Sequence, residues 1–156
     1  MSTPPVIAVT GSTGAVGGRV ARDLAARGIP QRLVVRDASR APSLEGAEVH
    51  VARYSDADAA RTALRGVDTL FMVSASETAD RVEHHRTFVE AAAEAGVRSI
   101  VYTSFFAAAP DAVFTLGRDH AATEEIIRGS EMRWTFLRDN FYMDMMELFA
   151  GDDGVI

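Results

Sequence analysis

Closely spaced glycines near the start of the chain could hold the phosphates of a nucleotide. Four of them lie in the segment VTGSTGAVGGRV, Val9 to Val20. The spacing Gly11-x-x-Gly14-x-x-Gly17 follows an apolar run and precedes a helical stripe of apolar residues. Glycine permits the positive φ of a tight turn and lets the backbone approach a pyrophosphate, which the N-terminus of the next helix stabilises. A plain structural turn can use glycines similarly, but the strand–turn–helix context favours dinucleotide binding.

The end of the next apolar run bears on which dinucleotide would bind. An acidic residue there contacts the ribose 2′-hydroxyl of NAD, whereas an arginine suits the 2′-phosphate of NADP. The sequence reads Val34-Val35-Arg36-Asp37, and a guanidinium can make paired hydrogen bonds to a phosphate. Arg36 therefore favours NADP(H) over NAD(H). In a second interpretation, Arg36 is a solvated surface residue and Asp37 binds the ribose.

The rest of the chain alternates short apolar runs with helical patterns. Such strands, apolar on both faces and separated by helices, predict an α/β fold: a doubly wound (Rossmann) parallel sheet with helices on both faces. The predicted strands are 6–10, 32–36, 47–52, 68–74, 98–104 and 133–138; helices are predicted after the glycines and over 56–66, 78–96, 119–128 and 141–149. The carboxyl ends of parallel strands in such a sheet are where ligands bind.

Composition excludes several classes of function. With 16 Lys and Arg against 22 Asp and Glu in 156 residues, the net charge of −6 argues against nucleic acid as a partner. The absence of cysteine excludes disulfides and thiolate chemistry. We recognise neither a signal peptide nor a membrane-spanning run, so we expect a cytoplasmic protein that does not bind membranes.

The length predicts a single NAD(P)-binding domain over residues 1–156. The final residues, AGDDGVI, read as a turn followed by the start of another strand rather than as a polar tail. We therefore expect the chain to be the first part of a longer protein.

The chain resembles the NmrA-like branch of the atypical short-chain dehydrogenase/reductases, and within it the bacterial NAD(P)H:quinone oxidoreductases and triphenylmethane-dye reductases. The segments that carry the resemblance are TGSTGAVGGRVARDLAARG, VVRD, YSDADAARTALRGVD, AAEAGVRSIVYTS and FLRDNFY. Members of that family run to nearly twice this length, with a C-terminal part that helps to wall the substrate cleft.

The resemblance implies a set of site residues. Those implied for the cofactor are Gly11, Ser12, Thr13, Gly14, Ala15, Val16, Arg36, Tyr54, Ser55, Asp56, Ser74, Ala75, Ser76 and Ser104. Those implied for the substrate are Phe105, Asn140, Phe141 and Tyr142. Asp56 has an alternative role as a helix N-cap.

One departure from the wider superfamily concerns the catalytic residues. Short-chain dehydrogenases use Tyr-x-x-x-Lys, with the tyrosine as general acid/base, but the matching positions here are Leu116 and His120. His120 is the candidate for a proton-transfer role, against the alternative of a helix-surface residue. The adjacent His84 and His85 point about 100° apart on a helix, so we predict no metal site.

These observations predict an NADPH-dependent reductase that transfers hydride to a quinone-like or other conjugated small-molecule acceptor, without metal or flavin. The competing prediction is a non-catalytic NADP(H)-sensing regulator, as in NmrA itself. A sugar-nucleotide epimerase is disfavoured, because that chemistry needs the missing tyrosine. A homodimer is left open.

Overall fold

The computed structural model describes residues 6–143 and contains one six-stranded, fully parallel sheet. The strands are β1 Ile7–Thr10, β2 Gln31–Val35, β3 Ala47–Val51, β4 Thr69–Met72, β5 Ser99–Phe105 and β6 Arg133–Asp139. Their order in the sheet is β3-β2-β1-β4-β5-β6. The direction in which successive strands are added to the sheet therefore reverses after β3, and β1 pairs with both β2 and β4. The predicted doubly wound fold is confirmed, and its switch point lies next to the glycine segment.

Four helices and one short 3-10 turn connect these strands. They are α1 Ala15–Ala26, the 3-10 turn Ala38–Arg40, α2 Ala57–Leu64, α3 Arg81–Glu94 and α4 Thr115–Arg128. None of the helices in the described part of the chain is long and apolar enough to cross a membrane. Positions 144–149 of the predicted last helix lie outside the described residues.

Helix α4 begins four residues earlier than the sequence predicts, at Thr115 instead of Asp119. The glycine at 117 disfavours a helix on propensity alone. In the structure, a Cβ on Gly117 would lie 2.8 Å from the Cβ of Ala112 and 2.9 Å from the carbonyl oxygen of Ala107. Close packing against the preceding loop therefore requires glycine there, and tertiary contact outweighs propensity.

The sheet separates two apolar layers. Helices α2, α3 and α4 cover one face, where Leu70, Phe88 and Ile100 belong to one buried cluster. Helix α1 covers the other face with a smaller cluster that includes Val9 and Leu33. Because strands β1, β2 and β4 are apolar on both faces, they lie at the centre of the molecule. Their carboxyl ends are thus held in fixed positions at one edge of the sheet.

Candidate functional site

The glycine loop joins β1 to α1 with almost no space between them. Gly11 has a φ of +64°, in the left-handed region that favours glycine. A Cβ on Gly17 would lie 2.4 Å from the carbonyl oxygen of Thr10 and 2.5 Å from that of Gly11. Gly14 is different, because its nearest such neighbour is the Gly11 carbonyl oxygen at 3.4 Å. Gly11 and Gly17 therefore shape the loop, and Gly14 keeps its outer side open.

The start of α1 has the groups that bind an anion. No side chain caps the helix at Gly14, and its first turn contains no acidic residue. The hydroxyl of Ser12 is buried and has no hydrogen-bond partner among residues 6–143. Unpaired N–H groups at a helix start, with the positive end of the helix dipole, favour a phosphate. The loop thus fits the pyrophosphate of a dinucleotide.

A cleft of about 480 Å³ opens beside this loop, at the carboxyl ends of strands β1 to β4. Nine of the residues implied for the cofactor line it: Gly11, Thr13, Gly14, Arg36, Tyr54, Ser55, Ser74, Ala75 and Ser76. These come from four separate segments of the sequence, and the fold brings them together. Ser12, Ala15 and Val16 belong to the loop and the first helical turn instead of the cleft lining.

The two candidates at the end of β2 have different surroundings. The carboxylate of Asp37 accepts hydrogen bonds from the backbone N–H (3.0 Å) and the hydroxyl (2.7 Å) of Ser39. These bonds lower the pKa of Asp37 and cap the 3-10 turn. Both residues are exposed, but Arg36 lines the cleft and Asp37 does not. The geometry favours the interpretation in which Arg36, not Asp37, faces the ligand.

Tyr54 and Asp56 use their polar groups within the protein. The Tyr54 hydroxyl donates to the carbonyl of Val73 (2.6 Å) and lies 2.6 Å from the hydroxyl of Thr10, while its ring stacks on Phe88. Tyr54 lines the cleft, but its hydroxyl is engaged within the protein. Asp56 accepts a hydrogen bond from the backbone N–H of Ala59 (3.0 Å) at the start of α2. Asp56 lies outside the cleft lining, so its alternative role as an N-cap is the one that the structure supports.

The loop after β4 is held from beneath by three side chains. The backbone N–H of Ser74 donates to the hydroxyl of Thr103 (2.8 Å), and that of Ala75 donates to Nε2 of His85 (2.9 Å). Nε of Arg81 donates to the carbonyl of Ala75 (2.9 Å). The backbone N–H and the carbonyl of Ala75 are thus both bonded to side chains of α3. These bonds fix the position of the loop backbone at the cleft.

These bonds determine the protonation of His85. Its Nε2 accepts from Ala75, so the proton is on Nδ1, which donates to the hydroxyl of Thr123 (2.9 Å). That hydroxyl in turn donates to the carbonyl of Asp119 (2.9 Å). Burial, together with the nearby charge of Arg81, lowers the pKa of His85 to about 3. The histidine is therefore neutral, and it has a structural role.

His120 does not lie at the cleft. It is 6% exposed, its Nε2 accepts from Arg81 (3.1 Å), and its Nδ1 lies 2.9 Å from the hydroxyl of Tyr102. Burial first, and the charge of Arg81 second, lower its pKa to about 4. Both ring nitrogens are occupied, so the predicted proton-transfer role has no support in this geometry. The alternative of a helix-surface residue is also wrong, because the side chain is buried.

Ser104 was predicted to contact the cofactor, but its hydroxyl faces the protein interior. It is 4% exposed and donates to Oε1 of Glu124 (2.6 Å). Glu124 also accepts two hydrogen bonds from Arg138 (2.9 and 2.7 Å) and one from Arg128 (3.0 Å). Although burial opposes it, the net effect of these bonds lowers the pKa of Glu124. Ser104 therefore belongs to a buried ionic cluster and not to the cleft lining.

The residues implied for the substrate form an aromatic cluster near the carboxyl ends of β5 and β6. The ring of Phe105 lies 5.8 Å from Phe141 and 5.9 Å from Phe114, which sequence reasoning missed. Asn140 uses its carbonyl oxygen to accept from the backbone N–H of Phe141 (2.8 Å), and Tyr142 is partly exposed. None of the four predicted residues lines the described cleft.

Other cleft residues were absent from the sequence prediction. They are Thr10, Val34, Val35, Ala52, Arg53, Val73, Thr78, Asp80 and His84. Most follow directly from the rule that ligands meet the carboxyl ends of parallel strands, applied to every strand instead of to matched motifs. Nε2 of His84 lies 3.1 Å from Oδ2 of Asp80 at one side. Within residues 6–143, no three potential metal ligands are grouped as a metal ion requires.

The fold and this cleft define the class of protein: a doubly wound domain whose glycine loop and strand ends fit a dinucleotide. A family model described as NAD(P)H-binding matches residues 11–147, and the chain belongs to that family. This match and the relatives below confirm the resemblance to the atypical short-chain reductases.

Three known proteins illustrate the relationship. The chain is 35% identical to quinone oxidoreductase 2 of Escherichia coli over 143 residues, which cover 89% of the chain and 50% of that protein. It is 34% identical to NAD(P)H azoreductase of Xenophilus azovorans, over 93% and 51%. The structure of Citrobacter sp. triphenylmethane reductase complexed with NADP(H) superposes with a TM-score of 0.82 at 32% identity, over 94% and 52%. The chain thus spans about half the length of these relatives.

Proposed function

We propose that this chain forms the cofactor-binding part of an NADPH-dependent reductase that passes hydride to a quinone-like or other conjugated small molecule. Two kinds of observation support it. The cleft places the uncapped start of α1, Arg36 and the fixed loop after β4 at one edge of the sheet. Relatives at about one-third identity are named as quinone, azo and dye reductases.

The preference for NADPH over NADH depends on one observation, the free guanidinium of Arg36. Its neighbour Asp37 accepts two hydrogen bonds from Ser39 and lies outside the cleft lining, so the arginine, not the acid, is at the cleft. An acid in that place would repel a 2′-phosphate, whereas a guanidinium binds it by charge-assisted hydrogen bonds. The chain's own contacts therefore suit a phosphorylated ribose.

In this proposal the protein contributes position instead of acid–base groups. When bound, the dinucleotide supplies the hydride, and direct transfer depends chiefly on the alignment of donor and acceptor. The backbone around Ala75 is fixed by His85 and Arg81 and provides a rigid wall. The aromatic cluster of Phe105, Phe114 and Phe141 offers an apolar surface for a flat acceptor. Since His120 is neutral and buried, water is the source of the product's proton.

The decisive experiment mixes the full-length protein that contains this chain with NADPH and follows the absorbance of the reduced cofactor with a simple quinone, an azo dye and a triphenylmethane dye. Oxidation of NADPH that depends on both protein and acceptor is the expected result. Tight NADPH binding without turnover of any acceptor would contradict a reductase and support the NADP(H)-sensing regulator. If NADPH binds and no acceptor is reduced, the next step is to look for proteins that are captured only in the presence of the cofactor.

The choice of cofactor has its own test. Arg36→Ala should weaken NADPH binding about tenfold or more, because a charge-assisted contact to phosphate is lost, and should leave NADH binding nearly unchanged. Isothermal titration of both cofactors measures this. Asp37→Ala is the matched control at the next position, and it should alter neither affinity. Equal losses of NADPH and NADH affinity in Arg36→Ala would refute the preference.

A further inference from the structure

Arg53 is a second arginine at the cleft, and it follows strand β3, the neighbour of the strand β2 that precedes Arg36. Residues Val35 and Val51 are register partners in β2 and β3. The pairing continues one step beyond β3, where the backbone N–H of Ala52 donates to the carbonyl of Val35 (3.0 Å). Arg36 and Arg53 therefore each follow directly on this last pair, at adjacent strand ends. Both line the cleft.

Both guanidiniums are available to a ligand. Each residue is exposed, and neither forms an ion pair or a side-chain hydrogen bond within residues 6–143. Several other arginines are engaged: Arg32 donates to the carbonyls of Ala63 and Arg65, and Arg138 is bound to Glu124. A pair of unengaged cations at one rim is thus a local feature of the cleft in an otherwise acidic chain.

The nearest acidic residues in the sequence do not neutralise this pair. Asp37 directs its carboxylate at Ser39, and Asp56 directs its carboxylate at the backbone N–H of Ala59. Each acid caps a helical turn instead of forming an ion pair with the arginine that precedes it. The rim between β2 and β3 therefore keeps two guanidiniums that have no ion-pair partner among the described residues.

We propose that Arg36 and Arg53 hold the 2′-phosphate of NADPH between them, which makes Arg53 a specificity-determining residue. This inference rests on the proposed function. A phosphate monoester carries a charge of about −1.5 to −2 at neutral pH and accepts several hydrogen bonds, so it matches two guanidiniums. NADH has an uncharged hydroxyl at the same place. In this arrangement the start of α1 binds the pyrophosphate, and the rim between β2 and β3 binds the 2′ side of the adenosine ribose.

The test separates the phosphate from the rest of the adenosine. Isothermal titration of the whole chain would compare 2′,5′-ADP with 5′-AMP, and NADPH with NADH. Arg53→Ala should weaken 2′,5′-ADP and NADPH about tenfold, as the loss of one charge-assisted contact implies, and should leave 5′-AMP and NADH nearly unchanged. Arg53→Lys should recover part of the loss, since it restores the charge without the planar fork.

Arg27→Ala is the matched control. Arg27 is exposed and follows the last residue of α1, at the opposite end of the helix from the glycine loop. The variant removes the same charge, so any effect of net charge alone will appear in it, and circular dichroism of both variants checks the fold.

The possible failures differ. If Arg53→Ala weakens 5′-AMP and 2′,5′-ADP equally, Arg53 stacks on the adenine and the inference is wrong. If Arg53→Ala changes nothing while Arg36→Ala removes the preference for 2′,5′-ADP, the inference fails and the proposed NADPH dependence stands. If the unaltered chain binds 2′,5′-ADP no better than 5′-AMP, the proposed cofactor preference itself is wrong.

Discussion

Polar side chains at the two ends of the sheet are used in opposite ways. Near β1, β2 and β3, the hydroxyl of Ser12 and the guanidiniums of Arg36 and Arg53 have no partners within the described chain. Near β5 and β6, Ser104 is bound to Glu124, and His120 is bound to both Arg81 and Tyr102. The first region has groups left for a ligand, whereas the second has used its groups to hold helices on the sheet.

This difference separates the two functions that one residue type can serve. A buried polar group must be paired, because leaving it unpaired costs free energy. Where the fold supplies the partner, as for Ser104 and His120, the residue stabilises the protein. The buried hydroxyl of Ser12 and the exposed guanidiniums of Arg36 and Arg53 remain free for a ligand. Substitutions near β5 and β6 should therefore change stability, and substitutions of side chains near β1 to β3 should change affinity.

The largest expected effect is on the buried ionic cluster. Glu124→Ala should lower the free energy of unfolding by about 3 kcal/mol, because it removes the carboxylate that two arginines and Ser104 share. The value lies at the low end for a broken buried pair, since Arg128 and Arg138 keep 35% and 45% of their side-chain exposure. Urea unfolding followed by circular dichroism measures it.

Glu125→Ala is the control at the adjacent position. Glu125 is 69% exposed and, within residues 6–143, its carboxylate pairs with Arg128 alone, so its loss should cost less than about 1 kcal/mol. NADPH affinity should stay the same in both variants. A folded Glu124→Ala protein with strongly weakened NADPH binding would break the comparison, because it would connect the ionic cluster to the cleft.

The same difference explains how much was predictable. The strand positions along the chain, the parallel sheet and the glycine loop follow from hydrophobic pattern and backbone chemistry, which are local in the sequence. The place of Arg36 at the cleft was also predictable, since it depends on the position of Arg36 at a strand end. The roles of Ser104 and His120 depend on Glu124 and Arg81, which lie 20 and 39 residues away. Spacing carries no information about such partners, so a motif match placed both residues in a site they do not line.

The glycine loop gives the next largest effect and sharpens the comparison within one region. Gly17→Ala should destabilise the protein by about 2 kcal/mol, because the added Cβ would lie 2.4 Å from the carbonyl oxygen of Thr10. Gly14→Ser should be nearly neutral for stability. Gly14 has φ −105° and ψ −176° at the N-cap, a conformation and a position that suit serine.

Cofactor affinity should respond differently. Gly14 lines the cleft, and a serine side chain there would occupy space beside the backbone. Gly14→Ser should therefore weaken NADPH binding about tenfold, because the pyrophosphate could no longer approach the backbone closely. Urea unfolding and isothermal titration on both variants give the two measurements. Unchanged NADPH affinity in Gly14→Ser would show that the pyrophosphate does not approach this position.

A further expected effect is a change in the pH dependence of stability. The folded pKa values of His85 and His120 are about 3 and about 4, below the ordinary value of about 6.5. Between pH 6 and 4.5, these two histidines bind protons in the unfolded chain but stay neutral in the folded chain. The stabilisation from each histidine is therefore complete above about pH 6.5 and is lost as the pH falls, at about 1.4 kcal/mol per pH unit.

His85→Gln should flatten this dependence by about 1.4 kcal/mol per pH unit, and the double variant with His120→Gln by about twice that. Urea unfolding at pH 4.5, 5.0, 5.5 and 6.0 (about half-unit steps across the window between the folded and unfolded pKa values) measures the slope. At neutral pH, His85→Gln should also be less stable, since one amide group cannot make both the bond to the backbone N–H of Ala75 and the bond to the hydroxyl of Thr123. An unchanged slope would mean that His85 is charged in the folded protein, and a charged ring cannot accept from Ala75. The hydrogen bond from Ala75 to His85 could then not hold the loop after β4. The distinction between paired polar groups near β5 and β6 and free ones near β1 to β3 would fail at this loop, which lies between the two regions.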